Sequence, residues 1–326
     1  MPAILIVEVF ILLHVPVIIL MNSHSLIRLL SLSMLLLCSF ALSANELPDK
    51  SQSEINLLVV DIVMDDMPGF LQGQSILDID NFDRPGSRRD LVDYVLLMQS
   101  LVLGGIPEKD IKPEKWGGVS YDRMLLRMSA GEAVVFSNTI WREDVGEDHP
   151  QLFVSAETLT KGQYFAGIYM NPDNPKFSQA LDFSQLTAVS SHQWRPDWNA
   201  LNKLPLKHLY NTVNWEHMFK MVYIQRVDFM LIAFPSTSDL TYSAIGLSLK
   251  PKPNLKVELD GSRGWVISKN HPQGFRVKQA IDRGLVKLHE MGRVKRAYEA
   301  AGVIHPGVEG WKVIRPDDYA ADVVNK

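Results

Sequence analysis

Along the chain, unbroken apolar runs alternate with stretches in which apolar residues recur every three or four positions, and this alternation predicts strands interleaved with helices. Residues 55–63 form an apolar run rich in β-branched side chains and predict a buried strand, broken by Met67-Pro68-Gly69-Phe70. Residues 88–103 predict a helix: Leu91, Val95, Met98 and Val102 share one face, Ser87 and Asp90 supply its cap, and Gly104-Gly105 stops it. A shorter helix follows Ser120, with Met124, Leu125 and Met128 inward and Gly131 at its end, before a strand at 133–136. Strands are predicted at 164–170 and 186–189, then loop or short helix over 194–205 with Pro196 as a breaker, then a helix over 212–225. The continuous apolar run 229–234 suits a strand buried on both faces of a parallel sheet. After strands at 255–259 and 264–268, Val277, Ile281, Leu285, Leu288 and Met291 form an amphipathic stripe, and a second helix over 294–301 ends at Gly302. The pattern implies α/β architecture with mostly parallel sheets.

The first 44 residues stand apart, because their only charged groups are Glu8 and Arg28. Arg28, the apolar segment 29–40 and the small residues around Ala41-Leu42-Ser43-Ala44 read as a secretory signal, with Met21 as a candidate start; a pair of membrane helices or an uncleaved anchor is the other reading. Leu37 is too bulky to precede Cys38 in a lipoprotein signal. The 326 residues suggest about two domains, and 46% hydrophobic with 21% charged residues is an ordinary globular composition. A net charge of −4 argues against a nucleic-acid partner, though not against a small anion held by a local arginine. One cysteine excludes a disulfide framework and any cysteine-based zinc cluster. Export without disulfides places the chain in a Gram-negative periplasm.

Several motifs, in order, resemble the type 2 periplasmic solute-binding proteins, in particular the family 3 branch that binds polar amino acids. Met67-Pro68-Gly69-Phe70 is similar to the aromatic-containing turn after the family's first strand. Met128-Ser129-Ala130-Gly131-Glu132-Ala133 is similar to its L-x-x-G-x-x-D approach to a strand. Thr139-Ile140-Trp141-Arg142 matches its T-x-x-R, and Gln225-Arg226-Val227-Asp228-Phe229 looks like its G-R-x-D-A. Residues 264–271, two helices and Gly302-Val303 resemble its C-terminal return. The resemblance implies a two-lobed type II fold with two crossover strands. Residues 45–150 plus 257–326 would form lobe 1 and residues 151–256 lobe 2, after the signal segment 1–44. The implied ligand residues are Arg142 gripping a carboxylate, Thr139 donating to it, Phe70 as an aromatic wall, and Ser191 and Trp194 from the second lobe.

The sequence departs from the family where an acid should neutralise a ligand amino group: that position is Ala233, followed by Phe234, and Asp239 is the nearest later acid. A buried ammonium without a counterion is costly, so a carboxylate or another small organic solute is as good a guest as an amino acid. Enzymatic readings find little support. Gly246-Leu247-Ser248-Leu249-Lys250 lacks the closing glycine of a nucleophile elbow, and there is no phosphate-binding G-x-x-x-x-G-K-[ST]. His208 and His217 have no third metal ligand beside them. The expectation is therefore a monomeric periplasmic binder of a small polar solute, without turnover or cofactor. It would serve an inner-membrane ABC permease or act alone as a sensor or accessory protein. The alternative is a protein-interaction or structural module on the same fold, with no small ligand.

Overall fold

The computed structural model describes residues 4–5, 19–20, 54–117, 120–146 and 148–319. Residues 1–53 and 54–326 are separate units. In the first, Ile4–Leu5 pairs antiparallel with Ile19–Leu20; the rest of the predicted signal segment lies outside the described residues. Among the described residues no helix is long and apolar enough to cross a membrane.

The second unit contains two five-stranded sheets. The first runs in the order Ile111–Lys115, Ile55–Val59, Val135–Trp141, Arg263–Ser268, Leu152–Val154. Its first two pairings are parallel and its last two antiparallel. The second sheet runs Met230–Ala233, Phe165–Met170, Leu247–Glu258, Tyr242–Ala244, all antiparallel, and Lys312–Ile314 adds in parallel to the long third strand. A parallel pair, Thr187–Ser190 with His208–Asn211, joins Phe229 through a single bridge at Ala188. The sheets are thus mixed, which corrects the mostly parallel arrangement expected from the sequence. Phe229 to Ile232 are indeed buried, but Met230–Ala233 runs antiparallel to its neighbour. Burial on both faces reports the layers above and below a strand, and says nothing about the direction of the strand beside it.

The helices cover the sheets. Helix Arg89–Leu103 is buried at every position from Leu91 to Leu101, because strand Val135–Trp141 lies on one side and helix Gly274–Glu290 on the other. A helix enclosed this way loses the polar face expected of an amphipathic one. Three local readings also change. The chain turns helical at Asp61, so Val63, Met67 and Phe70 fall on one buried helix face of Asp61–Leu71, with Pro68 inside the helix. Pro196 is not a breaker: it sits in the first turn of helix Arg195–Lys203, where its missing N–H has no partner to lose. The next helix is shorter than predicted, Trp215–Tyr223, because the Asn214 side chain caps it by accepting from the His217 N–H at 2.8 Å.

Candidate functional site

Strand Val135–Trp141 carries Thr139 into a buried polar cluster. The Thr139 hydroxyl and backbone N–H both donate to Asp93 Oδ2, at 2.9 and 3.0 Å. Asp93 lies one turn into helix Arg89–Leu103 and is fully buried. Its Oδ2 also accepts from Arg89 Nη1 at 3.1 Å, and its Oδ1 accepts from the Tyr298 hydroxyl at 2.8 Å. Arg263, the first residue of its strand, donates from Nε to Thr139 Oγ1 at 3.1 Å and from Nη2 to the Thr139 carbonyl at 2.5 Å. Its guanidinium lies 4.5 Å from the Trp141 ring centroid and 5.7 Å from that of Tyr164. Two guanidiniums therefore gather around one carboxylate.

The electrostatics follow from that imbalance. Burial, and then the neighbouring Arg89 charge, pull the Arg263 guanidinium below its ordinary value. Burial is the largest single effect on Arg89 and opposes its charge, but Asp93, with Tyr164, Asp90 and Tyr298 adding to it, outweighs burial and Arg89 is raised. Burial pushes the hydroxyl of Tyr298 well above the ordinary tyrosine value, and Asp93 adds to the shift.

Opposite this cluster is the N-terminus of helix Arg195–Lys203. The Arg195 N–H donates to Asp144 Oδ1 at 3.3 Å, and the Tyr121 hydroxyl donates to Asp144 Oδ2 at 2.8 Å. The Arg195 guanidinium donates to the Glu143 carbonyl at 3.2 Å and pairs with Asp148. Gln193 Nε2 reaches Asp122 at 2.7 Å. Burial raises Asp144 to about 6, with Tyr121 and the arginines opposing the shift. Burial raises Asp197, in the first turn of the same helix, to about 7; Arg263 opposes this shift and Asp144 adds to it.

The residues singled out from the sequence are dispersed around this centre. Thr139 is in it. Arg142 begins a short helix at the end of the same strand, and its guanidinium donates to the Ser155 carbonyl. Phe70 is a core side chain at the end of helix Asp61–Leu71, with the Arg84 guanidinium 5.9 Å from its ring centroid. Ser191 is buried and its hydroxyl accepts from the Gln193 N–H at 3.2 Å. Trp194 precedes helix Arg195–Lys203 and packs on the Tyr169–Phe219 core. Arg89, Asp93, Asp197 and Arg263 were not anticipated. Asp239 is exposed and tied to Thr241 within its own turn. Among the described residues no group of three or more His, Cys, Asp or Glu is placed to hold a metal ion.

No protein-family model matches the chain, and no curated protein sequence does. Solved structures do match. The periplasmic VFT2 domain of BvgS from Bordetella pertussis superposes with a TM-score of 0.52 at 12% identity, covering 76% of this chain and 94% of that one. An amino acid ABC transporter substrate-binding protein from Streptococcus pneumoniae, bound to L-arginine, superposes with a TM-score of 0.50 at 17% identity, covering 77% of this chain and 95% of that one. The chain thus has the two-domain α/β fold of the type II periplasmic solute-binding proteins.

Proposed function

We propose that the chain is a periplasmic protein whose two lobes clamp a small polar or carboxylate-bearing solute, without turning it over. Of the described residues, those at 54–150 plus 257–319 would form lobe 1 and those at 151–256 lobe 2, except that Leu152–Val154 belongs with the first sheet and Lys312–Ile314 with the second. The observation that carries this reading is the gathering of Arg89 and Arg263 around the single carboxylate of Asp93, facing the helix N-terminus at Arg195. Excess positive charge at the end of a sheet is a setting for an anion, and open α/β sheets bind ligands at such ends. Trp141 and Tyr164 supply flat apolar walls beside it. Thr139 orients the cluster and Arg142 borders it, while Ser191 and Trp194 lead into the opposing helix.

The guest need not carry an amine. Ala233 provides no counterion, and Asp239 is turned into its own loop. Asp197, raised to about 7, is only partly ionised at neutral pH and is a poor fixed partner for an ammonium. Carboxylates lacking an amine therefore bind at least as well as the matched amino acids. The protein of the same fold from Streptococcus pneumoniae is bound to L-arginine. Delivery to an inner-membrane ABC permease, or stand-alone sensing, would both use such a clamp.

A second reading, an interaction module with no small ligand, is favoured by one feature: the facing ends already meet through the protein's own side chains, Gln193 with Asp122 and Arg195 with Asp148. Thermal denaturation against a panel of amino acids and mono- and dicarboxylates separates the two. A ligand at a hundred times its Kd adds about 2.7 kcal/mol to stability. The clamp predicts such a rise for at least one carboxylate, and its loss in Arg89→Gln. No rise with any solute, in protein shown to be folded, gives the second reading the field.

A further inference from the structure

A cavity of about 490 Å³ lies behind the Asp93 cluster, sharing Tyr298 with it but lined by none of Arg89, Thr139 and Arg263. Its walls include Phe165, Phe234, Tyr298, Val303 and Val308, so most of its surface is apolar. Among its lining residues the one buried charge is Lys256, on the long strand Leu247–Glu258. The other charged side chains, Lys295, Glu299 and Glu309, lie toward the rim, and Lys295 pairs with Glu299 at 2.9 Å.

Lys256 differs from Lys252, the other buried lysine of that strand. Lys252 Nζ donates to three carbonyls, of Lys176, Phe177 and Gln179, which matches its three N–H groups. Lys256 Nζ donates to two, of Val308 at 2.8 Å and Glu309 at 3.3 Å, and its remaining side faces the Phe165 ring 4.4 Å away. Neither carbonyl carries a formal charge, and no carboxylate lies within ion-pair distance of Lys256 among the described residues. A buried cation whose counter-charge, Glu309, acts on it only from beyond ion-pair distance, in an apolar chamber large enough for a small organic molecule, is a half-made recognition site.

We propose that this cavity binds an amphipathic monoanion, an aromatic or branched apolar acid whose anionic head meets Lys256 Nζ and whose body lies against Phe165, Phe234 and Tyr298. The anion supplies the direct contact that Glu309 does not make, and a charge-assisted hydrogen bond to the ammonium is stronger than a neutral one. Burial holds Lys256 below its ordinary value, and an anion beside it reverses that shift. The walls of this cavity come from both proposed lobes, Phe165 and Phe234 from one and Tyr298 and Val303 from the other, but the site uses none of Arg89, Thr139 and Arg263 as lining residues.

The test uses 8-anilinonaphthalene-1-sulfonate, an aromatic sulfonate, and N-phenyl-1-naphthylamine, which has the same ring body without the charge. Both are titrated by fluorescence into the folded full chain, with near-ultraviolet circular dichroism confirming native packing. The sulfonate is expected to bind one to one, at least tenfold more tightly than the neutral analogue. Lys256→Met is expected to remove that preference while leaving the neutral probe unchanged. Gln163→Trp, at an exposed lining position, should weaken both probes by narrowing the mouth; this variant keeps the test decisive should Lys256→Met fail to fold. Equal affinity for the two probes, no sulfonate binding, or sulfonate binding insensitive to both substitutions each overturns the proposal.

Discussion

At the scale of single residues, the site depends on Asp93. It receives four hydrogen bonds, from Thr139 twice, Arg89 and Tyr298, and among the described residues it is the only carboxylate in hydrogen-bond contact with the two-arginine cluster. Removing one partner of a buried ion pair costs about 3–5 kcal/mol, because the remaining charge is left uncompensated. Asp93→Asn should therefore lower the urea unfolding free energy by about 3 kcal/mol or more, whereas Thr139→Val, which deletes the hydroxyl's bonds to Asp93 and Arg263 but leaves the Arg89–Asp93 ion pair in place, should cost less, about 1.5–3 kcal/mol. Equal losses would mean that the charge of Asp93 is not what holds the cluster. The T-x-x-R motif led to Thr139 from the sequence but not to its partners. Asp93, Thr139 and Arg263 are brought together by tertiary structure alone, and no spacing rule links them. A signal was nonetheless present: Asp93 interrupts an apolar helix at Leu91-Val92-Asp93-Tyr94, and Arg263 opens the apolar strand Gly264-Trp265-Val266-Ile267. A charge set in a run that is otherwise apolar is a charge with a buried partner.

At the scale of elements, the helix pair Arg89–Leu103 and Gly274–Glu290 approaches closely enough that glycine is required. A Cβ on Gly284 would lie 1.9 Å from the Ser100 carbonyl oxygen, and one on Gly104 would lie 1.9 Å from that of Ala280. Gly284→Ala should destabilise by about 1–3 kcal/mol through overpacking. Gly69 makes the contrast: its Cβ would meet nothing within 4 Å, and Gly69→Ala within helix Asp61–Leu71 should stabilise by about 0.5–1 kcal/mol. Chemical unfolding midpoints moving in the same direction for both variants would refute the close-approach argument. Both helices were legible in the sequence, since their apolar periodicity and stop signals are strong. Strand direction was not, because an apolar run looks the same in either sense. Helix Arg195–Lys203 was half legible, its start obscured by a proline that belongs in a first turn.

That helix also sets a pH dependence. Asp144, at about 6, and Asp197, at about 7, lie above the ordinary carboxylate value of about 3.9, chiefly through burial. The folded state then holds more protons than the unfolded one between pH 4 and 7, so their contribution to stability is fully present at low pH and is lost as pH rises through that window. His271 and His305, lowered by burial, slope the other way. The comparison is therefore between wild type and Asp144→Asn/Asp197→Asn. The wild-type melting temperature should fall, relative to the double variant, from pH 5 to pH 8. Parallel profiles would remove the assignment of burial as the cause.

For the whole molecule, the question is how firmly the facing ends are held. Among the described residues, the polar contacts there include Gln193 with Asp122, Arg195 with the Glu143 carbonyl, Asp144 and Asp148, and Ser236 Oγ with the Ser87 carbonyl at 3.4 Å, while Lys203 with Asp317 ties the far end of the same helix. Asp122, Asp148 and Ser236 are exposed, and exposed ion pairs contribute about 0–1 kcal/mol each. Opposing them, Asp144 and Asp197 are desolvated by the contact, and opening would rehydrate both. If these polar contacts decide closure, the proposed clamp would sit near balance and a guest could tip it; the apolar cluster that runs through both proposed lobes is the competing restraint. Arg195→Ala with Gln193→Ala removes the Gln193–Asp122 bond and the Arg195 guanidinium bonds to Glu143 and Asp148 without touching either sheet, so the radius of gyration from small-angle scattering should increase while far-ultraviolet circular dichroism stays unchanged. Raising pH from 5 to 8 should shift the wild type the same way, and 1 M salt, which screens the Arg195–Asp148 pair, should add to it. A radius that stays fixed under all three treatments would mean that packing, rather than these polar contacts, holds the ends together, and the second reading of the function would then gain ground over the clamp.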